Sequence, residues 1–294
     1  MSVKRLDLDI LNSLLKTRMV GRAGGWVNEL WDTLDSTNSR AAELARAGAL
    51  EGVMILARKQ TGGRGRGGRT WVSPRDAGLY VSFILRPQLE PGELPLMSLA
   101  AGLAAASAIE LTAGAKIKLK WVNDLVAGGK KVGGILAEMP AGFRPKTGQR
   151  GSGNEGQGNN RTEAAPALIL GIGINLRLDP ETLPDDLADR VDWLERIAGQ
   201  EIDDNLLAAN LAAQIERVYE DLVSGQRHKI VAEWKEASVN LGRAVRATTG
   251  NTSVEGTACD ITSEGALIIA LPGGERLTVH AGDVMLRNAD GSYA

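Results

Sequence analysis

The sequence predicts an α+β fold, in which a large domain of helices and strands is followed by a small all-β domain. At 294 residues, the chain is long enough for two unequal domains. Helical and strand patterns both occur up to about residue 239, whereas short alternating runs broken by turns dominate from Gly242 onward. Turns at that spacing indicate a small antiparallel barrel of about five strands.

The helical patterns begin with one amphipathic segment, which is the only helix expected in an N-terminal extension over residues 1–31. A second helix follows the cap cluster Ser36-Thr37-Asn38 and ends at Gly48, because these residue types favour helix starts and ends. The apolar spacing predicts three longer helices further along the chain. They are expected at residues 94–112, 203–223 and 226–237.

Five short apolar or alternating runs predict β-strands in the large domain. They lie at residues 53–57, 79–85, 117–121, 132–139 and 167–176. The segment 140–166, between the last two, is dense in Gly, Asn, Gln and Arg, so it cannot bury enough apolar surface to order itself. We therefore predict a disordered hairpin tip there; the alternative is a lid over a substrate.

Composition and charge exclude several classes of protein. The chain is 43% hydrophobic and 24% charged, with a net charge of −2, so no global positive field would recruit nucleic acid. The lone Cys259 and the two distant histidines, His228 and His280, argue against disulfides, a cysteine zinc cluster and a Ser-His-Asp triad. The longest uncharged stretch, 94–109, is short of a membrane span. We expect a cytoplasmic protein without a membrane anchor.

The most informative local signal is the glycine–arginine loop, Gly62–Arg69. Its glycines let the backbone approach a ligand, and its arginines suit carboxylates and phosphates. We expect a loop that stays mobile until an anion neutralises it. It partly matches dinucleotide-binding and P-loop motifs, but Trp71-Val72-Ser73-Pro74 follows where a helix should begin. A solvated flexible loop and an RNA-binding segment remain alternatives.

A second cluster of signals lies between residues 120 and 136. Asn123 and Asp124 fall at the mouth of a predicted hairpin, where they could also be an ordinary turn pair. Lys131 enters a strand that the pattern buries, so it needs an anionic partner, such as a bound carboxylate or phosphate. Gly133-Gly134 inside this strand indicates a close approach to the backbone by a ligand.

Together these segments resemble the biotin–protein ligases, in order as well as in content. The resemblance covers roughly residues 32–288. Its motifs are Ser36-Thr37-Asn38, the loop and Trp71, Lys120-Trp121-Val122-Asn123-Asp124, Lys131 with Gly133-Gly134-Ile135-Leu136, and Gly171-Ile172-Gly173-Ile174-Asn175. Val122 stands where the family usually has proline, and we expect valine to keep the backbone extended there.

The resemblance implies a mixed β-sheet domain of the biotin/lipoate ligase type over 32–239, which is similar to class II synthetases, and an SH3-like barrel over 240–294. It implies ATP-dependent activation of biotin to biotinyl-5′-AMP, with Mg²⁺ accompanying ATP and no protein ligand assigned to the metal. The implied catalytic residues are Arg66, Lys131 and Asp124. The implied biotin-binding residues are Ser36, Thr37, Asn38, Gln60, Gly63, Arg64, Lys131 and Gly134. The implied ATP-binding residues are Arg66, Arg69, Trp71, Asn123 and Asn175.

The resemblance also implies a protein substrate, the biotin carboxyl carrier protein of acetyl-CoA carboxylase, and it leaves a homodimer open. Because only about 31 residues with one helical pattern precede the ligase motifs, we expect a monofunctional enzyme that does not bind DNA. Two alternatives stay open, a lipoate–protein ligase and a non-catalytic biotin sensor.

Overall fold

A computed structural model describes residues 5–22, 24–88, 91–140, 166–250 and 252–286. Within these residues the chain forms one seven-stranded sheet with helices on both faces, followed by a five-stranded antiparallel sheet. The α+β prediction is confirmed. Residues 141–165, nearly all of the predicted hairpin tip, lie outside the described residues.

The large sheet is mixed, with the strand order β1-β2-β3-β7-β6-β5-β4. Only β1 and β2 pair in parallel; the other neighbours are antiparallel. The strands are β1 (Glu29–Trp31), β2 (Met54–Ala57), β3 (Gly78–Leu85), β4 (Lys118–Lys120), β5 (Asp124–Ala127), β6 (Lys130–Glu138) and β7 (Leu168–Asn175). Five of them were predicted within a few residues; β1 and β5 were not.

The helices cover this sheet unequally. They are α1 (Leu8–Leu14), α2 (Thr37–Arg46), α3 (Leu94–Ala113), α4 (Asp185–Ala188), α5 (Leu194–Ala198), α6 (Asp204–Val223) and α7 (Arg227–Ala237). Helices α3 and α6 pack on one face with the main apolar core, whereas α2 packs on β2, β3 and β7 on the other face. The short helices α4 and α5 were not predicted, because they span only four and five residues.

Every residue of the interior strand β3 is buried, because the strand is covered on both faces. Its odd-numbered residues, such as Val81 and Phe83, join the core with α3 and α6. The even-numbered Ile84 packs with α2, and Ser82 points to the same side. That side is only partly filled by α2, so the rest of it is left for the site described below.

Helix α3 has the length of a membrane-spanning helix and a mean hydropathy of 1.6 over its most apolar window. It is longer than the uncharged stretch from which the sequence argument started. However, 61% of that window is buried inside the protein, where it packs against α6, α7 and the sheet. We therefore interpret α3 as a core helix, as predicted.

The N-terminal segment is integrated into the large domain rather than extending from it. Leu6, Leu11 and Leu15 are almost fully buried in the main core. The Glu216 carboxylate of α6 accepts hydrogen bonds from three consecutive backbone N–H groups, those of residues 18–20, at 2.7–3.2 Å. The predicted limit between an extension and the domain at residues 31–32 stays a prediction, but residues 5–22 belong to the same core.

This packing gives a direct test. We expect Leu11→Ala to lower the free energy of unfolding by about 2–5 kcal/mol, because the side chain is 1% exposed and its removal leaves a cavity. The neighbouring Ile10→Ala is the matched control, since Ile10 is 46% exposed, and it should change stability by less than about 1 kcal/mol. Chemical denaturation of both variants measures this difference; equal small losses would mean that α1 is a detachable extension.

The C-terminal unit contains the strands β8 (Ala244–Thr249), β9 (Thr252–Ile261), β10 (Leu267–Ala270), β11 (Arg276–Val279) and β12 (Asp283–Leu286). Their order is β11-β10-β9-β8-β12, so β11 and β12 are opposite edges and do not pair with each other in the part of the chain that is described. The five predicted strands are confirmed. The domain limit at residues 239–240 stays a prediction.

The two units are joined at the turn that follows β4. The indole N–H of Trp121 donates to the Gly265 carbonyl at 2.9 Å, and its backbone N–H donates to the Asn240 side-chain oxygen at 2.6 Å. A side chain on Gly265 would collide with the backbone of α3 at Leu96. Val122 lies in this turn, and the peptide bond that precedes it is cis. The expected extended backbone at Val122 stays a prediction.

Candidate functional site

A cavity of about 1290 Å³ opens on the α2 side of the large sheet and reaches the C-terminal unit. Its wall draws on at least six segments that are distant in sequence. They include the start of α2, the glycine–arginine loop, the β4–β6 region, β7, residues 178–191 and the turn before β12. Of the residues predicted for the site, all but one line this cavity. They are Ser36, Thr37, Asn38, Gln60, Arg64, Arg66, Arg69, Trp71, Asn123, Asp124, Lys131, Gly134 and Asn175.

Two glycines of β7 form the floor of the cavity. A Cβ atom on Gly171 would lie 2.2 Å from the side-chain oxygen of Asn38, and one on Gly173 would lie 2.6 Å from the ring of Trp71. Because neither glycine has a side chain, the side chain of Asn38 can lie over Gly171 and the ring of Trp71 over Gly173. Both glycines belong to the stretch Gly171 to Asn175, in which the sequence analysis assigns a role only to Asn175.

Uncharged polar groups line one end of the cavity. The Gln60 side-chain oxygen accepts from the Thr37 backbone N–H at 2.8 Å, and its amide nitrogen donates to the Ser73 hydroxyl at 2.9 Å. Ser36 is the N-cap of α2, but neither it nor Thr37 uses its side chain to cap the helix. The side chains of Ser36 and Thr37 therefore do not bond to the end of the helix, although the cap signal alone predicts that they do.

Next to this end lies Glu138, a charged residue that the sequence analysis missed and that does not itself line the cavity. Glu138, the last residue of β6, accepts from the Asn38 amide at 2.8 Å and from the Arg64 guanidinium at 2.9 Å. Ser82 of β3 lies on the other side of Asn38, with its hydroxyl 2.6 Å from the Asn38 side-chain oxygen. Asn38 thus bridges β3 and β6 across Gly171.

Trp71 lies inside the cavity, on the sheet. Its ring packs on Gly134 and Gly173, and the ammonium of Lys131 lies 5.3 Å from the ring centroid, at cation–π distance. The close approach predicted at Gly134 is therefore made by an indole ring of the protein itself. The indole N–H of Trp71 is buried without a hydrogen-bond partner, which is costly unless a ligand accepts it.

Lys131 and Asp124 form the charged centre of the cavity. The ammonium of Lys131 lies 2.5 Å from the Asp124 carboxylate, so the anionic partner predicted for this lysine comes from the protein. Lys120 lies opposite Asp124 in the strand register of the β4–β5 hairpin. Burial lowers the pKa of Lys120, and the nearby Asp124 carboxylate opposes that shift. Positive charge is therefore concentrated around one carboxylate.

The glycine–arginine loop reaches across the cavity to the C-terminal unit. Arg66 donates to the Gly282 carbonyl at 2.6 Å, and Arg69 forms an ion pair with Asp283. Burial lowers the pKa of Arg66, which the Asp283 charge partly offsets. The loop thus has defined partners in this structure. Residues 281–283 are among the turns expected in the small β domain, but their contact with the loop was not predicted.

Two asparagines complete the wall near Lys131. The amide nitrogen of Asn123 donates to the Ile135 carbonyl at 2.9 Å, and that of Asn175 donates to the Asp192 carbonyl at 3.0 Å. The amide nitrogens make both of these bonds, so the side-chain oxygens of Asn123 and Asn175 remain as acceptors for a ligand. Among the described residues no three acidic, cysteine or histidine side chains cluster as a metal site. Amide oxygens beside the Asp124 carboxylate do fit Mg²⁺ that arrives bound to phosphates.

Gly63 is the one predicted residue that does not line the main cavity. Its buried backbone lies behind that of Trp71, whose N–H bonds to the Gly63 carbonyl at 2.9 Å. A Cβ atom at Gly63 would lie 2.4 Å from the Trp71 carbonyl oxygen. This glycine lets two segments of the loop approach each other. Its contact with biotin stays a prediction.

The chain matches two family models. The Biotin/lipoate A/B protein ligase family matches residues 31–146, and the Biotin protein ligase C terminal domain matches residues 241–287. These matches, the fold and a cavity that combines an uncharged polar end with a cationic end define the class of the protein. It is a ligase of the biotin and lipoate type.

The relatives narrow this class. The chain is 34% identical to the bifunctional ligase/repressor BirA of Bacillus subtilis, over 81% of this chain and 67% of that protein. It is 30% identical to the biotin–[acetyl-CoA-carboxylase] ligase of Mycobacterium tuberculosis, over 92% and 93%. The biotin protein ligase from Aquifex aeolicus in complex with biotin and ATP superposes with a TM-score of 0.72 at 26% identity, covering 90% and 100%. The chain belongs to the biotin protein ligase family. The predictions of the family, the fold and the enzyme class are confirmed.

Proposed function

We propose that the chain activates biotin with ATP to biotinyl-5′-AMP and transfers the biotinyl group to a lysine of the biotin carboxyl carrier protein of acetyl-CoA carboxylase. The observation that carries this proposal is the polarity of the large cavity described above. Its α2 end presents uncharged donors and acceptors suited to a cyclic urea, whereas Arg66, Arg69 and Lys131 meet at the other end. Such cations suit a carboxylate and phosphates.

Biotin would lie along the floor formed by β6 and β7. We assign its ureido ring to the polar end, where Ser36, Thr37 and Gln60 offer hydrogen-bonding groups and Asn38 and Arg64 close the wall. The apolar ring and chain would run past Gly134 towards Lys131. A large pocket with a few placed polar groups is the common design of small-molecule sites.

The first half-reaction brings two anions together. A biotin carboxylate oxygen attacks the α-phosphorus of ATP, the bond from that phosphorus to the bridging oxygen breaks, and pyrophosphate leaves with the electrons of that bond. In this proposal Arg66, Arg69 and Lys131 stabilise the charge that develops on the α-phosphate and the leaving group. Mg²⁺ bound to the phosphates would supply further charge, with Asn123 and Asn175 nearby.

Trp71 is assigned to the nucleotide side, as the sequence resemblance implies. Its ring covers Gly134 and Gly173, and its buried N–H has no partner among the described groups. A ligand acceptor at this N–H would remove an unsatisfied buried donor. Trp71 would then separate the biotin end from the nucleotide end and keep water from the mixed anhydride.

The second half-reaction needs a neutral lysine amine from the carrier. Asp124 is a carboxylate of the cavity wall, and it already accepts from Lys131. We assign to it the orientation of the incoming amine and the acceptance of its proton. The amine attacks the biotinyl carbonyl carbon, and AMP leaves with the electrons of the acyl–phosphate bond.

The remaining assignments are coarser. We propose a cytoplasmic enzyme, since α3, the one apolar helix of membrane-spanning length in the described part of the chain, belongs to the core. We also propose that residues 5–22 take no part in DNA binding, because they are packed against α6. A homodimer would be compatible with the exposed outer edge of β1.

Biotin-dependent pyrophosphate release tests the proposal. We expect the purified chain with ATP and Mg²⁺ to release one equivalent of pyrophosphate per site when biotin is added, and none above background with lipoate. A pure biotin sensor releases none with either ligand. Release with lipoate alone would reassign the cavity to lipoate.

The seat of Trp71 gives a further prediction. We expect Gly173→Ala to raise the dissociation constant of ATP at least about 10-fold, because the added methyl group would displace the indole ring from the sheet. Gly273→Ala is the matched control, because nothing lies within 4 Å of a Cβ atom there and its φ is ordinary. Calorimetric titration of both variants measures the difference; unchanged ATP affinity in Gly173→Ala would remove Trp71 from the nucleotide site.

A further inference from the structure

A continuous chain of hydrogen bonds runs beneath the polar end of the cavity. It links Glu138 to Asn38, Asn38 to Ser82, and Ser82 to Thr37. The heavy-atom distances are 2.8, 2.6 and 2.7 Å. Asn38 and Thr37 are 4% exposed and Ser82 is fully buried, so water does not complete these bonds. Of Asn38, Ser82 and Thr37, only Asn38 and Thr37 line the cavity, and of these two Thr37 is the one with a hydroxyl group.

The donor and acceptor roles along this series of hydrogen bonds follow from Glu138, the end whose role is fixed. Glu138, paired with Arg64, can only accept, and the Leu136 carbonyl lies beside it, 3.5 Å from the Asn38 amide nitrogen. The Asn38 nitrogen therefore faces Glu138, and its oxygen faces Ser82. The Ser82 hydroxyl must donate to that oxygen, which uses its single proton.

Thr37 is then constrained as well. Ser82 lies within hydrogen-bonding distance of both Asn38 and Thr37, but it has no second proton to give. The contact between the two hydroxyls therefore uses the proton of Thr37. The Gln60 oxygen lies farther from the Thr37 hydroxyl, at 3.2 Å, and already accepts the Thr37 backbone N–H. The Thr37 hydroxyl therefore has no proton to offer a ligand in the cavity. It can only accept a hydrogen bond there.

We propose that Glu138 and Ser82 are specificity-determining positioning residues, which orient the Thr37 hydroxyl as an obligate acceptor for an N–H group of the bound cyclic urea. Neither residue needs to touch the ligand. This proposal rests on the proposed function, because it takes biotin as the ligand. It explains why a carboxylate lies at the end of an otherwise uncharged chain, and why Gly171 leaves room for Asn38.

The test compares biotin with two analogues of the same size, the cyclic carbamates in which one or the other ureido N–H is replaced by a ring oxygen. In the wild-type protein we expect the carbamate whose oxygen faces Thr37 to bind about 10–100-fold more weakly than biotin, because two acceptors then meet. Calorimetry gives the ratio of the two dissociation constants, and Thr37→Val identifies which regioisomer is the relevant one.

In Ser82→Ala the Thr37 proton loses its partner in the chain and can turn to the ligand. We expect the ratio to fall to within about 3-fold of unity in this variant. Ser73→Ala is the matched control, since it loosens the other end of Gln60 without changing the polarity of the chain. It should weaken biotin and both carbamates by similar factors and keep the wild-type ratio.

Glu138→Gln provides a second variant at a half-exposed position, in case Ser82→Ala loses its fold. An amide at position 138 can donate as well as accept, so the ratio should fall at least about 3-fold. A wild-type ratio in the folded variants, or equal binding of biotin and both carbamates by the wild type, would overturn the proposal. Failure of the wild type to bind biotin at all would instead overturn the proposed function.

Discussion

We expect Lys131→Ala to slow the formation of biotinyl-5′-AMP by about 30- to 1,000-fold, or about 2–4 kcal/mol in the activation barrier. Biotin affinity should fall by less than about 10-fold. Lys131 lies where the cavity changes from uncharged to cationic, and its ammonium is held between the Asp124 carboxylate and the Trp71 ring. A cation in this place acts mainly on the charge that develops as the carboxylate attacks phosphorus.

Single-turnover measurement of adenylate formation, beside a biotin titration, separates the two effects. Lys130→Ala is the matched control, because Lys130 is the adjacent lysine of β6 but does not line the cavity. It should keep the wild-type rate. Equal losses of rate and biotin affinity in Lys131→Ala would show that this lysine only binds the ground state.

The second large effect is expected at Arg66. In Arg66→Ala, biotinyl-5′-AMP should dissociate about 10- to 100-fold faster than from the wild type, since a hydrogen bond to a charged group contributes about 1.5–3 kcal/mol. Arg66 spans the cavity from the glycine–arginine loop to Gly282, so its loss should also release the loop from the C-terminal unit. The activated biotin would then escape before it meets the carrier.

Trapping of released adenylate by free amines, followed over time, measures this escape. The control is Lys59→Ala. Lys59 is a basic residue just before the glycine–arginine loop, and its side chain is exposed and lies outside the main cavity. It should hold the intermediate as the wild type does. Retention of the adenylate by Arg66→Ala would show that loop closure does not depend on this arginine.

Local patterns predicted much of this fold. The cap cluster at Ser36, the glycine after α3 and the apolar runs of β2, β3 and β7 gave elements within a few residues of those observed. Strand β1 and helices α4 and α5 were missed because each has five residues or fewer, too short for a period to show. The packing of Leu6 and Leu11 into the core depends on α6, about 200 residues away.

The candidate site was predictable where residues act through motifs, and not where they act through contacts. Lys131, Asp124 and Trp71 were found in motifs, and they meet in one cavity. Glu138 and Ser82 belong to no motif; they matter because β3, β6 and α2 meet around Gly171. The partner of Arg69 is Asp283, the first residue of β12, which lies more than two hundred residues along the chain, so no local pattern connects the two.

Transfer of labelled biotin to a biotin carboxyl carrier domain, with ATP and Mg²⁺, tests the central claim most directly. Two controls belong with it, a carrier whose acceptor lysine is arginine and a lipoyl domain supplied with lipoate. The account predicts label on the lysine-containing biotin carrier alone, lost when ATP is omitted. Label on the lipoyl domain instead, or no transfer while biotin still binds, would contradict it.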